Sequence, residues 1–244
     1  MNFVSSGVCA AKGFKAAGVH CGIRKNKTKK DLALIVSDNK DAAACVYTRN
    51  LVKGAPIAVT KAHVADGYAQ AVICNSGIAN TCASDGIETA TGMCQLAAQA
   101  LHISENDIVV ASTGVIGPSL PLEPIGAHMG ELVAELSMEG SEDAATAIMT
   151  TDTVKKEVAV SFAVNGTECK IGGIAKGSGM IHPNMATMLV FVTTDCNISP
   201  EMLQKALSAD VVDSFNMISV DGDTSTNDMV TVLANGMAGN AQIT

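Results

Sequence analysis

The chain has 244 residues, 48% of them apolar and 16% charged, enough apolar side chain to bury a sizeable core and too few charges for a disordered chain. Only 3% are aromatic, and 24 acidic against 16 basic residues give a net charge of −8, which excludes a base-stacking platform and repels a phosphate backbone, so no nucleic-acid partner is expected. No apolar run approaches the roughly 18 residues of a membrane span, and the first residues lack the basic and apolar regions of a leader, so a cytoplasmic chain with no membrane partner is expected.

Short β-type runs alternate with helical patterns, which points to a layered α/β domain. Strands are expected at 32–37, 57–60, 69–74 and 108–112, then at 158–164, 170–175, 188–194, 217–220 and 229–233. The basic run from Arg24 to Lys30 reads as a solvated turn ahead of the first of these. Helical spacing is clear in Ile87, Ala90, Cys94, Ala97, Ala98 and Leu101, and again in Ile125, Met129, Leu132, Val133 and Leu136, ending at Gly140. Asn165-Gly166 stands between two strands and predicts a type I′ hairpin, hence mixed or antiparallel pairing. A third helix has a full start signal in Ser199 as N-cap, Pro200 and Glu201, with Ile198 and Leu203 placed as a hydrophobic staple.

Several familiar chemistries are excluded by their residues. The eight cysteines include no C-x-x-C pair and read as buried free thiols. The histidines show no ligand-like pairing on a helix face, and no phosphate-binding glycine loop or G-x-S-x-G occurs, so no metal site is expected. The loop from Asp221 to Asp228 lacks the glycine and glutamate of a calcium loop, and phosphotransfer through Asp221 or Asp223 would lack its downstream partners. An Asp/Thr-rich loop bonding its own backbone is the favoured reading.

The richest segment runs from Ala175 through Lys176-Gly177-Ser178-Gly179, His182-Pro183 and Ala186-Thr187-Met188-Leu189 to Asp195. The glycines permit tight backbone, Pro183 fixes a turn, and Thr187 stands at the entry of a buried strand, where threonine is ordinarily just a good β-former. The segment resembles the self-cleavage and nucleophile motif of the ornithine acetyltransferase (glutamate N-acetyltransferase) family of arginine biosynthesis. The stretches 12–18, 31–38, 111–117, 150–153, 214–216 and 221–228 match the same family in order, so the resemblance covers essentially the whole chain.

The resemblance implies an α-β-β-α layered fold with mixed sheets, of the self-cleaving N-terminal-nucleophile type. It implies that a precursor cuts itself between Ala186 and Thr187, and that the freed Thr187 is the nucleophile. Its new α-amino group, with an unperturbed pKa of about 7.7–8.0, is then a base on the same residue, so no histidine is needed. Thr113 and Gly114 are implied as the oxyanion site, through a hydroxyl and a backbone N–H, and Thr153 and Lys176 as substrate-binding residues beside Thr187. The bare residues alone read otherwise: Thr113-Gly114 as a turn after a strand, and Lys176 as a solvated surface group on a Gly-rich turn.

The implied cycle is ping-pong. Thr187 takes the acetyl group of N-acetylornithine, releases ornithine, and passes the acetyl to glutamate to give N-acetylglutamate. Some family members also accept acetyl-CoA as donor. No metal or organic cofactor is implied, and the cleaved chains of the family assemble as a heterotetramer of two α and two β chains. The family's second chain continues well beyond the motifs present here, with a further glutamate and a C-terminal Asn and Thr or Ser. Residues 1–186 are therefore expected to be the α-chain region and 187–244 the start of a truncated β-chain region. The same Thr187 would also serve an amidohydrolase or aminopeptidase that gives its acyl group to water, and an inactive truncated remnant is the remaining alternative.

Overall fold

The structure is a computed structural model that describes residues 1–180 and 188–244. Its strands are β1 (Asn2–Val4), β2 (Phe14–Val19), β3 (Leu32–Tyr47), β4 (Tyr68–Ile78), β5 (Ile108–Val115), β6 (Lys156–Val164), β7 (Thr167–Lys176), β8 (Leu189–Thr194) and β9 (Met229–Ala234). The helices are α1 (Ala55–His63), α2 (Gly86–Leu101), α3 (Leu122–Ala134), α4 (Ser141–Ile148) and α5 (Pro200–Asp213).

All the strands belong to one nine-stranded sheet of order β1-β6-β7-β8-β9-β3-β4-β5, with β2 also paired to β3. Pairing is antiparallel except at β4·β5 and β8·β9. The long strand β3 joins two halves. Its first part pairs with β2 and β4, its register shifts between Val36 and Asp41, and its second part pairs with β9.

Side-chain alternation along the strands builds the layers. Ala33 and Ile35 of β3, Val72 and Cys74 of β4, and Val109 and Ala111 of β5 share an inner core with Ile174, Leu189, Phe191, Met229 and Leu233 of the other half. Their neighbours Leu32, Leu34, Ala71, Ile73, Ile108 and Val110 face α2 and α3, through Ala90, Met93, Cys94, Ala97, Ile125, Met129 and Leu132. On the far side Val190, Val230 and Val232 pack on Leu203, Leu207 and Val211 of α5. The order is therefore α-β-β-α, as expected, with both faces of the central strands buried, which is why they read as continuous apolar runs. Helix α4 adds Ala144, Ala145, Ala147 and Ile148 to the inner core.

Asn165 (φ 48°) and Gly166 (φ 86°) make the β6–β7 hairpin, both in the left-handed region that a type I′ turn requires. Ser199 caps α5 by accepting from the Met202 amide at 3.3 Å, and Ile198 and Leu203 pack in the same core. All the cysteines are free thiols, buried except Cys82. No helix among the described residues is long and apolar enough to cross a membrane.

Two expected strands are corrected. Residues 57–60 lie in α1, where Ile57 reaches the inner core and Val59 the outer one. The Thr60 hydroxyl donates to the Val110 carbonyl (2.8 Å) and accepts from the Val110 amide (2.9 Å), so α1 covers the edge strand β5 as a neighbouring strand would. Residues 217–220 end a 3-10 turn (Phe215–Met217) and run on without strand pairing, with Met217 and Val220 exposed. Strands β1 and β2 and helix α4 carry no expectation from the sequence. The expected boundary at 186/187 lies outside the described residues; β8, α5 and β9, on its far side, pair and pack with the rest of the sheet.

Candidate functional site

A cleft of about 460 Å³ opens where the ends of β4, β5 and β7 meet the loop before β9. Thr113, Gly114, Thr150, Thr151, Lys176 and Asn227 line it, with Arg24 at its margin. Contrary to expectation, Thr113 and Gly114 do not leave the sheet: β5 runs on to Val115, and Gly114 lies opposite Gly77 of β4 in parallel register. Gly114 has φ +134°, and a Cβ there would stand 2.2 Å from the Gly77 carbonyl carbon, so only glycine lets the two backbones approach.

Lys176 is also corrected. It is the last residue of β7 and only 5% exposed, not a solvated group on a turn. Its ammonium donates to the Thr113 hydroxyl oxygen at 3.2 Å. That leaves the hydroxyl proton of Thr113 free to donate to an anion in the cleft. Burial pulls the Lys176 pKa down, while the Asp152 charge, and Cys74 and Asp228 wherever they are ionised, act to hold the proton on.

Asp152, between α4 and β6, has a fully buried side chain. It accepts from Lys156 Nζ (2.6 Å), the Gly177 amide (2.8 Å) and the Thr150 amide (3.2 Å). Burial pushes its carboxyl up, but these donors and the Lys176 charge outweigh it and hold the pKa below the usual carboxylate value.

The opposite wall is neutral. Asn227 donates from Nδ2 to the carbonyls of Ala79 (2.6 Å) and Ser112 (2.9 Å), and its Oδ1 accepts from the hydroxyls of Thr81 (2.5 Å) and Thr226 (2.6 Å). Every polar group of that amide is used, which fixes the loop against β5 one residue before Thr113. Next to it Asp228 is 2% exposed. Its Oδ1 accepts from the Met188 amide at 2.9 Å, whereas Oδ2 is buried without a hydrogen-bond partner among the described residues. Burial pushes this carboxyl up to about 8, against the Met188 amide, Ser225 and the Lys176 charge.

The expected residues therefore divide. Thr113, Gly114 and Lys176 come together on the cleft. Thr153 is exposed beside Asp152 and is not among the residues lining it, although Thr150 and Thr151 are. Ala186, Thr187 and His182 lie outside the described residues. The 221–228 loop bonds its own backbone through Asp221 to Asp223 (3.3 Å), but it also reaches out, with Asp221 accepting from the Met180 amide. Arg24, read as part of a solvated run, is half-buried, its amide bonded to Asp31 (2.8 Å) and its guanidinium to the Met149 carbonyl.

Sequence reasoning gave no role to Arg24, Asp152, Asn227 or Asp228. Asp152 and the last two sit inside stretches that match the family, which was the available signal.

The Thr113 hydroxyl, the Gly114 backbone and a buried ammonium make a site suited to an anion or to an oxygen that gains negative charge. Comparison with known proteins adds the family. A relative in Symbiobacterium thermophilum, named arginine biosynthesis bifunctional protein ArgJ, is 52% identical over 100% of this chain and 61% of its own length. The chain thus spans about three-fifths of the curated relatives it matches. The solved ornithine acetyltransferase of Mycobacterium tuberculosis, complexed with ornithine, is 37% identical with a TM-score of 0.69, over 75% of this chain and 97% of that one. The fold is shared with an L-aminopeptidase D-Ala-esterase/amidase of Ochrobactrum anthropi described as a variant of the Ntn hydrolase fold, at 12% identity and a TM-score of 0.57 over 96% and 75% of the two chains. The model of the ArgJ family matches residues 15–244, and this chain belongs to that family.

Proposed function

We propose that the protein transfers an acetyl group from N-acetylornithine to glutamate through an acetyl-Thr187 intermediate, in arginine biosynthesis in the cytoplasm. The observation that carries this reading is the buried Lys176–Thr113 pair beside Gly114, a ready site for the oxyanion of an acyl-transfer intermediate. Thr187 attacks the acetyl carbonyl, the Thr113 hydroxyl and the Gly114 N–H hold the developing oxyanion, and ornithine leaves. Glutamate then takes the acetyl group and departs as N-acetylglutamate. Lys176 meets the substrate carboxylate from inside the cleft, and Thr153, exposed outside it, would have to reach the substrate from the rim. The names of the relatives, one an ornithine acetyltransferase complexed with ornithine and others arginine biosynthesis bifunctional proteins, support this cycle, and acetyl-CoA as a second donor is part of the proposal.

In this reading the precursor cuts itself at Ala186–Thr187, dividing 1–186 from 187–244. The resulting α and β chains form a heterotetramer, and the chemistry calls on no metal or organic cofactor. The α-amino group of Thr187 supplies the base once it is free.

Product analysis with and without glutamate tests the proposal. N-acetylglutamate formed in step with ornithine supports it, while acetate released at the same rate without glutamate would make the protein a hydrolase. Thr113→Ala is expected to lower kcat about 10²–10³-fold, the cost of one lost oxyanion donor.

A further inference from the structure

The two substrates of the proposed cycle carry the same α-carboxylate and differ at the far end of the side chain. N-acetylornithine ends in an ammonium and glutamate in a second carboxylate, so a cation placed for that end tells them apart. We infer that Arg24 is that cation, the residue that takes the distal carboxylate of glutamate and of N-acetylglutamate. This rests on the reading of the cleft as the acetyl-transfer site.

Placement comes first. The charged side chains lining the cleft among the described residues are Lys176 and Arg24. Lys176 stands deep, 5% exposed, and donates to the Thr113 hydroxyl beside Gly114. Arg24 stands at the margin, where its guanidinium meets the Met149 carbonyl just before Thr150 and Thr151. With the reacting carbonyl at Thr113 and Gly114 and the α-carboxylate on Lys176, the end of the ligand left over is its side chain. The charged group left over is Arg24.

The arginine is held in place at several points. Its amide donates to Asp31 Oδ2 at 2.8 Å, and Asp31, fully buried, also accepts from the Cys21 amide at 2.6 Å. Its stem lies against Gly77 of β4, where an added Cβ would stand 3.1 Å from Arg24 Cγ. Gly77 is also the residue opposite Gly114, so one stretch of backbone seats the arginine and admits the glycine of the oxyanion site.

A structural clasp alone does not call for this side chain. The guanidinium gives an N–H to the Met149 carbonyl, but it has five, in a planar fork that matches a carboxylate. A neutral amide would make the same bond without the cost of half-burying a charge. The acids that act on that charge are committed to other donors, Asp31 to the two amides and Asp152 to Lys156, Gly177 and Thr150. In the cleft the arginine attracts the γ-carboxylate of glutamate and repels the δ-ammonium of ornithine, which favours exchange of one for the other at the acetylated site.

The test measures binding and turnover separately, in the parent, Arg24→Gln and Arg24→Lys proteins. Gln keeps a donor for the Met149 carbonyl but carries no charge. Calorimetry with N-acetylglutamate and with N-acetylornithine reads the inference directly. Arg24→Gln should weaken N-acetylglutamate about 10–10²-fold, the scale of one lost charge-assisted pair, and bind N-acetylornithine no more weakly than the parent. Arg24→Lys, with the charge but not the fork, should fall between. Equal weakening of both ligands overturns the inference and leaves Arg24 a clasp, and so does an unchanged affinity for N-acetylglutamate. Should Arg24→Gln fail to fold, the parent decides. It should bind N-acetylglutamate at least ~10-fold more tightly than N-acetylglutamine, which has the same shape and a neutral end, and equal affinities overturn the inference. Ornithine release from N-acetylornithine tests the transfer reading on its own, since a parent that binds selectively without releasing ornithine keeps the role of Arg24 and loses the reaction. A parent that binds neither ligand overturns both.

Discussion

Asp152, in the connection between α4 and β6, and Asp228, at the entry to β9, both lose water and both act on Lys176, yet they settle on opposite protonation states. Asp152 is met by an ammonium and two backbone amides and stays ionised. Asp228, with the Met188 amide, Ser225 and the Lys176 charge to oppose burial, is still pushed up to about 8. The two differ in depth and in donors, Asp228 being the more deeply buried: a buried carboxylate is kept charged by the groups that replace its water, and with too few of them it keeps its proton. The α4–β6 side of the cleft is thus an ion-pair anchor, and the β9 side holds a group that can exchange a proton near neutral pH.

Breaking the anchor should have the largest effect. Asp152→Ala leaves Lys176 buried without its main counter-charge and strips the acceptor from the Gly177 and Thr150 amides. A loss of about 3 kcal/mol in urea unfolding at neutral pH is expected. Lys176→Met should cost less, about 1 kcal/mol, because Asp152 keeps Lys156 and both amides. The same change removes a charge that was lowering the Asp228 pKa, so a carboxyl titration followed by infrared spectroscopy should move upward.

The smallest effect in acid, and the most telling in sign, belongs to Asp228→Asn. Between the ordinary carboxylate range and about 8 the native state holds a proton that the unfolded chain has lost. Native stability therefore falls as pH rises through that window. Asp41, buried with one hydrogen bond from Ser37 and also pushed up to about 8, acts in the same direction. Asp228→Asn should then match the parent within about 1 kcal/mol near pH 4, where both side chains are neutral, and be clearly the more stable of the two at pH 9. Thermal melts at the two pH values decide it, and Asp41→Asn is the control for the remaining slope.

Much of the fold is legible because its signals are local. Asn165-Gly166 dictates positive φ at two successive residues, and Ser199-Pro200 marks a helix start whatever surrounds it. Residues 57–60 mislead because β-branched side chains favour strands, whereas the covering of edge strand β5, a tertiary need, turns them helical. In the site, the glycine at 114 and the threonine at 113 are visible in the sequence, but what makes them a site is not. Burial of Lys176 depends on β4, β5 and β7 ending together, and the raised carboxyl of Asp228 depends on how deeply the loop before β9 is buried. Neither is a property of any short stretch of sequence.

The pairing of β7 with β8 has a further consequence. A break anywhere in the chain between these strands would leave its two pieces joined by that ladder, by β9 against β3, and by the packing of α5. Such a nick would be silent in size-exclusion chromatography and evident only under denaturing conditions. The piece holding β8 and β9 supplies the middle of the sheet, so neither fragment made alone has a template for its edges. Folding has to come before cutting, and a nicked molecule, once unfolded, loses the covalent tether that made its own assembly unimolecular.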